Sequence, residues 1–298
     1  MRSTASAHDD SATWEVARPP RPSRLAGVDM AGFHVPHAPV DGLRMIPHPA
    51  VTLIVEFGAG GYVLDDGSGR RHRGSAVAGP GLGLGGNVRA WGEDVACVQV
   101  RLSPVVACTL LGISPAELTG ATVLPLDDLW GREASRIRER LSECTSWAER
   151  FALTEMLLAR RAAARTWVDP EVAWSWRRIN AEAGLVRVED LACELGWSRK
   201  RLWSRFNAQI GMPPKRAAKL VRFDRAAHRL VAGESAARVA ADGGYFDQSH
   251  LHRDVVTFTG ATPAAVVEEP FLTVDDVAWP AAARATPRHS PGRTRPVS

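Results

Sequence analysis

The chain has 298 residues, 45% hydrophobic and 23% charged, with a net charge of +4, which is room for about two domains of ordinary globular composition. No apolar run reaches the roughly 18 residues a membrane helix needs, and the polar N-terminus lacks the apolar stretch of a secretory signal, so a cytoplasmic protein without a membrane partner is expected. The four cysteines, Cys97, Cys108, Cys144 and Cys193, are scattered with no C-x-x-C pair; they exclude a disulfide framework or a zinc site and read as small buried hydrophobes.

Residues 1–24 are rich in Ser, Pro and Arg, and disorder is expected there. Residues 25–184 read as an α+β sensing or assembly domain that opens with strands. Val51 to Phe57 is a β-branched run, and Tyr62-Val63-Leu64 follows across Gly58 to Gly61, a hairpin-like break. Gly79 to Gly86 reads as a loop or a glycine-broken strand; it lacks the G-x-x-x-x-G-K-[ST] pattern of a phosphate loop. Val95 to Leu102 alternates, with Ala96, Val98, Val100 and Leu102 on one side and Gln99 and Arg101 opposite.

The pattern then becomes helical. Ser114-Pro115-Ala116-Glu117 has the form of a capping box with proline at the first helical position. Helices are expected over 132–144, 148–165 and 171–183, the last bearing Trp174 and Trp176 and ending near Gly184. From Val186 to about Glu269 every signal is helical. Residues 270–298, rich in Pro, Ala and Arg, read as a disordered tail.

Charge is concentrated in one place. Residues 197–229 hold ten basic side chains against the single acid Asp224, so the rest of the chain is net acidic. A basic stripe in such a chain is the footprint of a polyanion partner. Within it, Leu191, Ala192 and Leu195 form the inner face of a short helix, Gly196 suits a sharp turn, and Ser198 caps a second helix. On a wheel of about 100° per residue, Leu202 and Phe206 fall on the buried side of that helix. Lys200, Trp203, Ser204 and Asn207 fall opposite. A cation, an aromatic and small hydrogen-bonding groups suit a reader of the major groove, and Arg199, Arg201 and Arg205 flank them where phosphates would lie. A long helix then runs from Lys215 to about Val231, made basic by Lys215, Arg216, Lys219, Arg222 and Arg225.

A second unit echoes the first between Ala237 and Gly260. Gly243-Gly244 make the turn, Tyr245 plugs the junction, and Leu251, Val255 and Phe258 cluster as core. Ser249, His252, Arg253 and Val256 face outward with Gln248 at the margin. His250 and His252, two apart, do not share a helix face and are not a metal pair.

The run Gly244-Tyr245-Phe246-Asp247-Gln248-Ser249-His250-Leu251, then Arg253, then Gly260-Ala261-Thr262-Pro263, sits behind a first unit reading Leu191-Ala192, Leu195-Gly196-Trp197-Ser198. Over about 186–268 the chain resembles the DNA-binding domain of the AraC/XylS family of bacterial regulators. The resemblance implies an all-α domain of two helix-turn-helix units joined by a long helix, with two recognition helices in successive major grooves of double-stranded DNA. It places base reading on Lys200, Trp203 and Ser204, and on Gln248, Ser249 and Arg253. Phosphate contacts fall on Arg199, Arg201, Arg205, Lys215, Arg216, Lys219 and Arg222. Phe246 departs from the family's small N-cap residue, so Asp247 is the alternative cap, and Asp254 puts a negative charge near the backbone. More weakly, residues 25–184 resemble the β-rich sensory domains of such regulators. There Trp91, Trp130 and Trp147 line a pocket or, on the commoner pattern, fill a core.

The resulting expectation is a sequence-specific transcription factor and not an enzyme, with no cofactor and no metal. RNA polymerase, a small-molecule effector and a second copy of the chain are its further expected partners. The alternatives are a ligand-free regulator whose N-terminal domain only dimerises, and an enzyme fused to a DNA-binding domain. The latter needs an alkyl-accepting or zinc-binding cysteine cluster, and the four cysteines sit in neither context.

Overall fold

The computed structural model describes residues 5–7, 14–38, 40–86, 88–118, 123–162 and 168–279. Among these, the strands are β1 (Ala5–Ala7), β2 (Trp14–Ala17), β3 (Val28–His37), β4 (Leu43–Arg44), β5 (Val51–Glu56), β6 (Gly61–Asp65), β7 (Arg71–Arg73), β8 (Ala76–Ala78), β9 (Arg89–Leu102) and β10 (Val123–Pro125). They form one antiparallel sheet in the order β1-β2-β3-β9-β5-β8-β10, with β4 and β6 also on β9 and β7 beyond β6. β9 is the spine. Its second half, Cys97 to Leu102, pairs with β3 on one side and β5 on the other; its first half pairs with β6 and β4. The strand changes direction at Asp94, which adopts φ +49° and receives His34 Nε2 at 2.8 Å.

Both faces of the sheet are covered, which is why β5 is buried throughout. Val51, Leu53 and Val55 join Val98, Val100 and Leu102 beneath helices α1 (Pro104–Leu111), α2 (Leu126–Trp130), α3 (Arg132–Glu143) and α4 (Trp147–Ala162). Ile54 and Cys97 point the other way, with Phe33 and Val35. The indole of Trp147 lies so close to Gly32 that a Cβ there would meet the ring at 2.3 Å, so this contact requires glycine.

The remaining helices are α5 (Pro170–Ala181), α6 (Val188–Glu194), α7 (Arg199–Ile210), α8 (Pro214–Val231), α9 (Ala236–Asp242), α10 (Gln248–Thr259), α11 (Pro263–Val267) and α12 (Pro270–Ala278). Their contacts with the sheet domain include the following. Gly85 N–H donates to Phe258 O at 2.9 Å, and a Cβ on Gly86 would stand 1.8 Å from Thr259 O. Arg44 donates to Gly86 O and Thr259 O, both at 3.1 Å, and to Glu269 at 2.7 Å. Deeper in, Arg101 of β9 donates to Asp275 of α12 at 3.0 Å and lies 4.5 Å over the Trp279 ring, while His228 of α8 stands 3.5 Å from Asp275.

Several expectations change here. Residues 14–17, expected to be disordered, form β2, because Trp14 and Val16 bury against Phe33. Residues 270–278, expected to be a loose tail, form α12, because Phe271, Leu272 and Val274 bury and Asp275 finds Arg101. The rest of both expected disordered segments lies outside the described residues, apart from the short strand β1, the stretch from Arg18 to Arg24 and the buried Trp279. The Gly58–Gly61 break is no hairpin: β5 and β6 each pair with β9 and not with each other. The Ser114 box closes, with Ser114 N–H and Oγ both donating to Glu117 at 2.7 and 2.8 Å, yet it starts only a 3-10 turn over Pro115–Leu118. α5, expected in the sensory domain, packs on α7 through Trp176 and Phe206 and also on α8. His34 and His37 lie on β3 and His72 on β7. Cys97 and Cys108 are buried, and burial pushes their thiols up to about 12 and about 11, whereas Cys144 is half-buried and Cys193 exposed.

Candidate nucleic-acid interface

Two helix-turn-helix units, α6–α7 and α9–α10, are joined by the 18-residue α8. In the first, Gly196 adopts φ +63° between the helices, and Ser198 caps α7 by accepting from Arg201 N–H. Leu202 and Phe206 are fully buried, and Lys200, Trp203 and Ser204 stand on the outer side, with Trp203 52% exposed. The first turn of α7 holds Arg199, Lys200 and Arg201 and no acid. Cations at a helix N-terminus oppose the helix dipole. That local conflict is expected at a functional surface rather than at a merely solvated one.

In the second unit Asp247 caps α10, accepting from His250 N–H at 2.6 Å, so the alternative cap is the one adopted. Leu251 and Val255 are fully buried and Phe258 nearly so, while Gln248, Ser249, His252 and Arg253 are exposed. Tyr245 does plug the junction. Its ring is 5% exposed, stacks edge-on with His250 and carries the Arg222 guanidinium 4.4 Å above it, and burial pushes its phenol up to about 12. Phe223 of α8 stacks on Phe258 of α10 at 4.7 Å, which ties the linking helix to the second unit.

The basic stripe divides into two populations. Lys200, Lys215 and Arg216 are exposed and enter no ion pair among the described residues. Arg201 is exposed and lies over the Trp197 ring at 4.4 Å. Arg199 and Arg205 are exposed but engaged, with Glu189 at 3.2 Å and Asp169 at 2.9 Å; exposed pairs of this kind are weak and can be exchanged for a phosphate. Lys219 is half exposed, 3.7 Å from Asp254. Arg222 differs: its side chain is 15% exposed and donates to Asp254 at 2.7 Å, which ties α8 to α10. Asp254 is correspondingly buried. Arg225 donates to Asn180 O at 2.6 Å, and Arg229 pairs with Glu234 and Asp242. Sequence spacing could not separate these groups, since which arginines turn inward depends on partners 5 to 45 residues away.

A second feature is a pocket of about 590 Å³ of empty space, open mouth included, around which the sheet curls. Its walls include Phe33, Trp91 and Gln99 from the sheet and Phe271 from α12. Of the three tryptophans considered, Trp91 lines this pocket, whereas Trp130 and Trp147 are packing residues, Trp130 Nε1 donating to Leu111 O at 2.9 Å. Tyr62 and Trp14 also line the pocket, and the Tyr62 hydroxyl and Trp14 Nε1 are buried without a hydrogen-bond partner.

Residues 191–269 match a family model described as a helix-turn-helix domain. No curated protein matches the chain. Among solved structures, an apo variant of ToxT from Vibrio cholerae is 10% identical with a TM-score of 0.46, over 84% of this chain and 99% of that one. ToxT bound to an unsaturated fatty acid is 11% identical with a TM-score of 0.43, over 90% and 98%. The AraC-like transcriptional activator CuxR is 17% identical with a TM-score of 0.29, over 81% and 86%. These likenesses are too distant to add to the match in the helical domain. With the paired units, their glycine turns and the Gly244 to Pro263 run on the page, residues 191–269 form a helix-turn-helix domain of the AraC type.

Proposed function

We propose that this regulator reads DNA sequence with Lys200, Trp203 and Ser204 from α7 and Gln248, Ser249 and Arg253 from α10. The carrying observation is that both helices bury one face completely and leave these six side chains exposed on the other. Arg and Lys suit guanine edges, and Gln suits adenine. Arg199, Arg201, Arg205, Lys215, Arg216 and Lys219 supply the sequence-independent phosphate contacts. RNA polymerase and a second copy of the chain complete the same reading as partners at a promoter. The test is selection of bound duplexes from a random library at about 0.15 M salt. A shared bipartite motif with halves about one helical turn apart is expected; binding with no shared motif would overturn sequence reading.

Control by a small molecule is the second reading, and the two orphaned donors favour it. A buried unsatisfied polar group costs about 1–3 kcal/mol, which a ligand acceptor facing Tyr62 and Trp14 would recover. The apolar walls suit a compact aromatic or alicyclic molecule carrying one such acceptor, and because Phe271 is a wall, its occupant would touch the helix that pins the two domains together. Thermal melting against a panel of aromatic ketones and amides should raise the midpoint for the wild type and less for Tyr62→Phe. No shift with any member, or equal shifts in both proteins, would count against the site.

A further inference from the structure

Phe246 is 93% exposed, although its neighbours are firmly held. Tyr245 before it is buried under Arg222, and Asp247 after it caps α10. The Phe246 N–H itself donates to His250 Nδ1 at 3.3 Å. The ring is therefore displayed from a fixed backbone rather than from a loose loop, and it contributes nothing to the core. It sits one residue before the cap of the second recognition helix, three residues ahead of Ser249 and seven ahead of Arg253. Among the described residues the exposed large aromatics are Trp203 and Phe246, one on each reading unit. The outward side of α10 also carries Val256, 39% exposed.

The second unit has a further property that gives this ring a use. The first turn of α10 carries no cation, and its cap is the carboxylate of Asp247, so this helix end has little to offer a phosphate. An apolar side chain at the edge of a major-groove reader can make contact with one distinctive apolar feature there, the C5-methyl group of thymine. We infer that Phe246 is a specificity-determining residue that packs on a thymine methyl in the half-site read by α10. This rests on the DNA-reading assignment above.

The test uses the full-length chain and the duplex it selects from a random library. Each thymine in that duplex is replaced in turn by deoxyuridine, which removes the methyl and keeps the base pair. Burying one such carbon contributes about 0.8 kcal/mol, so wild-type affinity should fall about fourfold at one or two positions. Phe246→Ala should bind the thymine duplex as weakly as the wild type binds the uracil one, and should no longer distinguish the two. Phe246→Leu should keep part of the preference. Because the ring is exposed, all three proteins should melt together, which separates this outcome from loss of folding. A selected motif that is indifferent to every methyl, or an undiminished methyl effect in Phe246→Ala, would overturn the inference alone. Failure to select any motif would overturn the sequence-reading assignment as well.

Discussion

The two helix-turn-helix units share a layout but divide the work differently. The first opens its recognition helix with Arg199, Lys200 and Arg201 against the helix dipole and adds Arg205 on the next turn. The second opens with Asp247 and offers Gln248, Ser249, Arg253 and an exposed phenyl ring. On the proposed reading both units face bases, and the first adds the larger sequence-independent attraction for phosphates. They also differ in how they are held. α10 is bolted to α8 by Arg222–Asp254 and by Phe223 on Phe258, and the glycine loop of the sheet domain grips its C-terminal end. α7 is held from α5, through Trp176 against Phe206 and Asp169 against Arg205. The comparison teaches that a basic side chain in this domain can serve packing, since Arg222 beside the second unit turns inward onto Asp254.

The largest test of that difference is Asp254→Ala. It leaves Arg222 nearly buried without its carboxylate, and breaking such a pair costs about 3 kcal/mol or more; the Tyr245 ring still over the guanidinium keeps the loss near the low end. Chemical denaturation should show this loss, with hydrogen exchange rising in α9 and α10 before α6 and α7. Equal protection loss in both units would mean that α8 does not hold them separately. Next in size, Arg253→Ala should cost about 1–3 kcal/mol on the preferred duplex and relax one base position. Equal loss on scrambled DNA would make Arg253 a phosphate contact.

Smaller effects sharpen the division among the cations. Removing Lys215 or Arg216 should reduce the slope of log affinity against log salt by about 0.9 each, uniformly across sequences. Arg222→Ala should leave that slope unchanged while lowering stability; a change in slope would return it to the phosphate set. The mildest prediction concerns pH. His48, half-buried, accepts Ala50 N–H at Nδ1 and stands 3.1 Å from Thr52 Oγ1. Burial, together with Arg101 and His228, holds its pKa well below 6.5. Below about pH 6.5 the unfolded chain therefore takes up a proton that the folded chain refuses, so this group's share of stability is present above that pH and is lost as pH falls. Burial of Asp224 raises its pKa and acts in the opposite sense. Melting between pH 7.5 and 5.5 should thus show a weaker decline in His48→Gln than in the wild type, and parallel curves would rule out a His48 contribution.

Much of the helical domain was legible in the chain. Leu202, Phe206, Leu251 and Val255 fall on one face by a 3.6-residue period, and all four are fully buried. Gly196 and Gly260 have the positive φ that helix ends favour. Around the sheet less could be read. β3 contains Gly32 and Pro36, which interrupt alternation, and the strand is sustained by pairing with β9 about 60 residues on. α12 read as the start of a disordered tail because residues 270–298 are rich in Pro, Ala and Arg; what holds it includes Asp275 on Arg101, 174 residues earlier.

The sequence by itself determined the two reading units, their caps, their buried faces and the side chains displayed to solvent, because a helix repeat and a cap involve residues only a few positions apart. Tertiary structure alone decided which arginines point inward, that α5 and α12 pack on α8, and that a pocket wall is shared between the domains. Those outcomes depend on buried charge finding a partner across long sequence separations, and an arginine is the same letter whether it meets a phosphate or Asp254.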